Sequence, residues 1–167
     1  MKKISITLII VLTMLVATSA AYASPAGASQ NFVAPLSGGE EVPPVVTNAR
    51  GVATLKLSED GTELQYKLIV ANIQGVTQAH IHCGAARVNG PVVSFLFGFN
   101  PTGDAVNGGV AEGTITAANV IPRPDSAACP GGVADFDDLM AKLRSGDAYV
   151  NVHTLAYPGG EIRGQIR

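Results

Sequence analysis

Residues 51–71 read Gly51-Val52-Ala53-Thr54-Leu55-Lys56-Leu57-Ser58-Glu59-Asp60-Gly61-Thr62-Glu63-Leu64-Gln65-Tyr66-Lys67-Leu68-Ile69-Val70-Ala71, two alternating runs either side of an Asp-Gly turn. Successive side chains of a strand point to opposite faces. In the first run Ala53, Leu55 and Leu57 therefore share one face, and Val52, Thr54 and Lys56 the other. In the second, Leu64, Tyr66, Leu68 and Val70 face a core while Glu63, Gln65 and Lys67 face water. Asp60-Gly61 tolerates the positive φ of a tight hairpin. A hairpin with one buried face sets the class as antiparallel β.

The flanking chain repeats the theme in shorter pieces. Phe32–Leu36 is a first strand, ended by the glycines and prolines of Ser37-Gly38-Gly39-Glu40-Glu41-Val42-Pro43-Pro44. Asn72–Thr77, with Gly75, reads as a connection, and Gln78–Cys83 as a strand. The apolar run Val92–Phe99 suits a buried strand. Residues 100–109 read as loop, and Val110–Thr116 as a strand in which Gly113 marks a bulge. Ala117–Val133, with three prolines, is a long irregular connection. Asp135–Arg144 is the one helix: Phe136, Leu139, Met140 and Leu143 recur at helical spacing, Asp135 caps, Lys142 and Arg144 suit the negative end, and Gly146 stops it. Ala148–Thr154 and Glu161–Arg167 are the last strands. Seven or eight short strands and one short helix predict an all-β, antiparallel Greek-key β-sandwich or barrel.

The N-terminus carries Lys2 and Lys3, an apolar run Ile4–Val16 and the small-x-small pattern Ala21-Tyr22-Ala23. This is the pattern of a secretory signal peptide over residues 1–23, and the run is short for a membrane span. Residues 24–31 then form a flexible leader and 32–167 one domain. The expected location is secreted, whether extracellular, periplasmic or at the cell surface. The formal net charge of −2 becomes more negative by two on cleavage. With no basic stripe to neutralise phosphates, nucleic acid is excluded as a partner, and nothing later in the chain is long and apolar enough to span a bilayer.

The chain has three histidines and two cysteines. In Gln78-Ala79-His80-Ile81-His82-Cys83-Gly84, strand parity puts His80 and His82 on one face, with Ile81 opposite. His153 alternates with Tyr149 and Asn151 on a later strand. Imidazole suits zinc and copper, and three histidines leave an open position. The candidate metal site is His80, His82 and His153, for a copper or zinc ion, with Glu161 as a fourth ligand or as the acceptor that fixes a histidine tautomer. The alternative is a set of partly buried structural histidines. Arg163 reads as the surface ion-pair partner of Glu161. An even cysteine count in an exported chain suggests a Cys83–Cys129 disulfide. Two free thiols or a Cys83 metal ligand are the alternatives, and parity turns Cys83 away from the histidine face.

Three separated blocks resemble one family. Phe32-x-Ala34-x-Leu36-Ser37-Gly38-x-x-Glu41-Val42-Pro43-Pro44, then Ala79-His80-Ile81-His82-x-Gly84 with Asn89-Gly90-Pro91-Val92-Val93, then Tyr149-Val150-Asn151-Val152-His153-Thr154 with Pro158-Gly159-Gly160-Glu161-Ile162-Arg163-Gly164-Gln165-Ile166, look like the CHRD domain. That module is named for chordin, an extracellular antagonist of bone morphogenetic proteins, and occurs in bacterial exported proteins. The resemblance implies an immunoglobulin-like or Greek-key barrel and an extracellular protein partner. The Ala-His-Ile-His block is also similar to a strand of copper–zinc superoxide dismutases, but three histidines do not supply their dinuclear site. The residues thus favour metal binding, storage or delivery over turnover, since no acid–base partner is evident. A protein-interaction module with structural histidines is the alternative, and a copper-dependent redox enzyme a third reading.

Overall fold

The computed structural model describes residues 30–167, apart from the side chains of 105–108 and 110. The expected signal peptide, and the leader up to residue 29, lie outside the described residues. Seven strands form one antiparallel sheet: β1 (Asn31–Ser37), β2 (Arg50–Leu57), β3 (Leu64–Cys83), β4 (Val92–Phe97), β5 (Asp104–Ile115), β6 (Ala148–Thr154) and β7 (Ile162–Gln165). In the order β1-β2-β3-β6-β7 the sheet returns to β1 and closes as a five-stranded barrel, with β4 and β5 paired to β3 outside it. Val33 and Arg167 seal the β1–β7 seam with reciprocal backbone hydrogen bonds. Among the described residues the chain forms the expected all-β barrel with a single α-helix.

The hairpin of residues 50–71 is built as its alternation predicts. Leu57 pairs with Leu64 and Arg50 with Ala71, and Ala53, Leu55, Leu57, Leu64, Leu68 and Val70 are buried in the core. The strand beyond it differs from expectation. Residues 72–77 are not a connection: β3 runs unbroken for 20 residues to Cys83. Asn72 and Gly75 take left-handed φ values of 55° and 64°, and the register shifts around them. Such bulges bend a strand without ending its pairing, so β3 serves first β2 and β5, then β6 and β4. They also reset the inward parity, which passes from Leu68 and Val70 to Ala79, Ile81 and Cys83.

Two neighbours of β3 differ too. β5 begins at Asp104, not Val110, because the bent β3 keeps pairing with it through Ile73–Val106 and Val76–Asp104. Gly113 is not the bulge. It pairs in register with Tyr66, whose ring occupies the space a Cβ would need. The irregularity falls between Ala111 and Gly109. β4 stops at Phe97 and, as an outer strand, buries only part of its apolar run: Val93 and Leu96 are inside, while Phe95 and Phe99 are exposed.

The helix α1 (Phe136–Ser145) has Asp135 accepting from the Asp138 amide and Gly146 at φ 77° as its left-handed C-cap. Its Phe136, Leu139, Met140 and Leu143 are buried in the core. The irregular segment before it is tied to the end of β3 by the Cys83–Cys129 disulfide, so neither sulfur is a free thiol or a metal ligand.

Candidate metal centre

The register of three strands assembles the site. β3 pairs with β6 so that Gln78 faces His153, His80 faces Asn151 and His82 faces Tyr149; β6 pairs with β7 so that Asn151 faces Arg163 and Tyr149 faces Gln165. Alternation then sorts the side chains. Ala79, Ile81, Val150, Val152 and Ile162 point into the barrel with no exposed surface. His80, His82, Tyr149, Asn151, His153 and Arg163 share the outer face. That face is covered as well, since every residue of β6 is buried. A strand buried on both sides, yet polar on one of them, is unusual, because each polar group there must find a partner or lose its hydration uncompensated.

Strand pairing brings the three histidines together. One nitrogen from each ring lies within 4.8 Å of the others, and the residues are 3%, 9% and 8% exposed for His80, His82 and His153. Nδ1 of His82 donates to the Gly90 carbonyl at 2.9 Å, and Nδ1 of His153 donates to the Pro158 carbonyl at 2.8 Å. A carbonyl only accepts, so both neutral rings carry their proton on Nδ1 and a bare lone pair on Nε2. The His153 Nε2 lone pair meets His80 Nδ1 at 3.1 Å, while Nε2 of both His80 and His82 is buried without a partner. Asn151 lies close enough to His82 to favour its charged form, but secondarily to burial, and makes no well-formed hydrogen bond to that nitrogen. Two donors bonded at 2.0–2.1 Å to one ion stand roughly 3–4 Å apart. The His80–His153 pair is already at that spacing, and the full set is within about an ångström of it.

The surroundings hold the rings. Tyr149 stacks on His82, with centroids 4.7 Å apart and planes 10° from parallel. The Arg163 guanidinium lies over Tyr149, 3.4 Å from the ring centroid, a cation–π arrangement. Phe95 meets His80 edge-on at 4.6 Å. Glu161 stands where the last turn was expected to put it, yet both carboxylate oxygens are engaged, accepting from the hydroxyls of Thr47 and Thr154. The converging group comprises the three histidines, and the acceptor that fixes the His153 tautomer is the Pro158 carbonyl.

Arg163 overturns its expectation of a surface ion pair with Glu161. It is 2% exposed and donates to the carbonyls of Ala85 and Val88 and to the Asn89 side chain, pinning the 84–91 loop over the site. Asn89 in turn donates to the Val42 carbonyl, and Asn151 donates to Glu41. The sequence reading missed this role. The available signal was parity across the 155–161 turn, which sets Arg163 on the face that carries His153. Nothing local singled out Glu41, an acid in a Pro-rich loop.

Burial sets the protonation of the cluster. It pushes His80 down to about 3, helped by the field of His153 and His82, pushes His82 down to about 4, and lowers His153. All three are neutral at neutral pH, the form that binds metals. Burial raises Glu41 to about 6 against the pull of Asn151 and Arg163. The metal-free protein is therefore expected to lose stability as pH falls below 6.5, the ordinary imidazole value, because the unfolded chain takes up protons that the folded cluster refuses. Each histidine contributes up to about 1.4 kcal/mol per pH unit. Glu41 acts in the opposite sense between its ordinary 4.5 and about 6, where the folded form keeps a proton that the unfolded chain releases. Three groups outweigh one, so urea midpoints measured in chelator should fall from pH 7 to pH 5. A flat or rising profile on acidification would contradict this assignment.

The fold and site define a class: an all-β barrel with a covered, neutral three-histidine cluster on its outer face. A family model for the CHRD domain matches residues 32–166, and the chain belongs to that family. Chordin of Xenopus laevis is 29% identical over 133 residues, 79% of this chain and 12% of Chordin, so the chain spans a small fraction of that relative's length. No solved structure matches it significantly. Among the described residues no helix is long and apolar enough to cross a membrane.

Proposed function

We propose that this CHRD domain, the 32–167 unit of a chain exported by a signal peptide over residues 1–23, binds one transition-metal ion, copper or zinc, through His80, His82 and His153. One observation carries the reading: the Nδ1–H groups of His82 and His153 are committed to backbone carbonyls, which leaves their Nε2 lone pairs unprotonated in a buried group whose ligand nitrogens converge to within 4.8 Å. Backbone acceptors on the far nitrogen are how metal-ligating histidines are oriented. Without a cation the cluster retains orphaned polar atoms that cost about 1–3 kcal/mol each. Glu161 supports the turn that carries Pro158 and is not needed as a ligand. The disulfide and the family fit an extracellular setting.

Metal analysis of tag-free protein tests the proposal. About one equivalent of copper or zinc per chain is expected, lost in His80→Ala, His82→Ala and His153→Ala, with a melting temperature that rises on metal addition only in the wild type. Wild-type protein that takes up neither metal, and melts unchanged in their presence, would remove the metal reading. The family match favours a second reading, an extracellular protein-interaction module whose histidines are structural. A purified partner bound equally by metal-free wild type and by the triple variant is its expected signature.

A further inference from the structure

The donor set has a feature that the choice between copper and zinc turns on: it carries no charge. All three ligands are neutral imidazoles. The candidate anionic ligands do not join the converging group: both cysteines form the disulfide, and the Glu161 oxygens are turned to the hydroxyls of Thr47 and Thr154. Glu41 is turned to Asn151. The buried Arg163 guanidinium balances the Glu41 charge, so this pair adds no net anion to the cluster. The unpartnered Nε2 atoms of His80 and His82 are shut off from solvent, beneath Phe95 on one side and the Tyr149 stack on the other.

We infer that the site is selective for monovalent copper over divalent zinc and divalent copper, an inference that rests on the metal-binding reading above. The desolvation cost of an ion rises with the square of its charge, so a dication entering a neutral, dry site loses about four times the hydration energy of a monocation. Structural and catalytic zinc sites are four-coordinate, completing the set with a thiolate, a carboxylate or a water. Divalent copper takes a tetragonal set of nitrogen and oxygen ligands. Cuprous copper has a closed shell, no such geometric demand, and is satisfied by three nitrogen donors. Two of the three imidazoles are fixed from behind, His82 by Gly90 and His153 by Pro158. With no fourth protein donor in the converging group and the Nε2 atoms of His80 and His82 shut off from water, the set favours that ion over the other two.

The test uses the wild-type domain with its disulfide intact. Ascorbate serves as the reductant under anaerobic conditions, because a thiol would threaten Cys83–Cys129. Cuprous affinity is read by competition with a chromogenic cuprous chelator, and zinc affinity by competition with a zinc dye. The cuprous ion is expected to bind one per chain and at least about a hundred-fold more tightly than zinc, with an X-ray absorption edge of three-coordinate nitrogen ligation. His82→Gln is expected to abolish cuprous binding, whereas Glu112→Gln, at an exposed position of β5, is expected to leave the affinity within about threefold. Zinc binding as tight as cuprous binding, or a four-coordinate divalent copper signal that survives ascorbate, would overturn the selectivity while leaving the metal site standing. Absence of binding by all three ions would overturn both.

Discussion

Arg163→Met is expected to cost about 3–5 kcal/mol of folding stability, the range for breaking a buried charged network from one side. The methionine fills the volume but leaves the carbonyls of Ala85 and Val88 and the Asn89 side chain without their donor. Glu41 loses the guanidinium whose charge opposes the effect of its burial, and is pushed further toward its neutral form. Each orphaned acceptor carries a desolvation cost of about 1–3 kcal/mol, softened as the 84–91 loop lifts to find water. Arg163→Lys is expected to recover only part of the loss, since an ammonium lacks the planar fork and stacks poorly on Tyr149. Denaturant unfolding of the three proteins checks this, and a methionine variant within about 1 kcal/mol of wild type would show the network to be dispensable. The loop that Arg163 pins includes Gly90, whose carbonyl sets the His82 tautomer. Metal affinity should therefore fall in the methionine variant although no ligand has changed, which a purely surface role could not produce.

Removing the Cys83–Cys129 disulfide is the second large effect. The two residues are 46 apart in sequence, and closing a loop of that length removes about 4 kcal/mol of unfolded-state entropy in the chain model. The double variant Cys83→Ala/Cys129→Ala is expected to melt roughly 10–20 °C lower, as is wild-type protein reduced with a phosphine. Both sulfurs are fully buried, so reduction should be slow until the protein opens. Because Cys83 lies on the barrel-facing side of β3, opposite to His82, cuprous binding by the folded fraction should change little. A melting temperature unaffected by reduction would show that the 117–133 segment is held by its own packing and by bridges such as Arg123–Val133.

The parts of the fold that were legible share a physical reason. The 50–71 hairpin and the 136–145 helix announce themselves because their side-chain periodicity and caps are local, and the same residues that set the period also fill the core. The bent middle of β3 was not legible. Asn72 and Gly75 signal a break in conformation, which in isolation cannot be told from a break in pairing. The early start of β5 was hidden for a similar reason: Gly108 and Gly109 carry no side chains to alternate, and the ladder there is enforced by β3. Phe95 and Phe99 read as core from composition alone, yet only the position of β4 outside the barrel leaves them exposed. Arg163 shows the reverse, a charge expected in water that the 84–91 loop buries.

For the site, the sequence by itself determined that His80 and His82 share a face, that Ile81 and Cys83 take the opposite one, and that His153 alternates with Tyr149 and Asn151. These follow from the two-residue period of a strand and need no partner. Only the tertiary structure decided that β6 pairs with β3 in the register that sets His153 diagonal to His80, that Gly90 and Pro158 supply the carbonyls behind His82 and His153, and that Arg163 lies over the Tyr149 ring stacked on His82. Strand pairing joins residues 73 positions apart. Its register is selected by the fit of Ile81, Val150 and Val152 inside the barrel, a property of the assembled core and of no single stretch of chain.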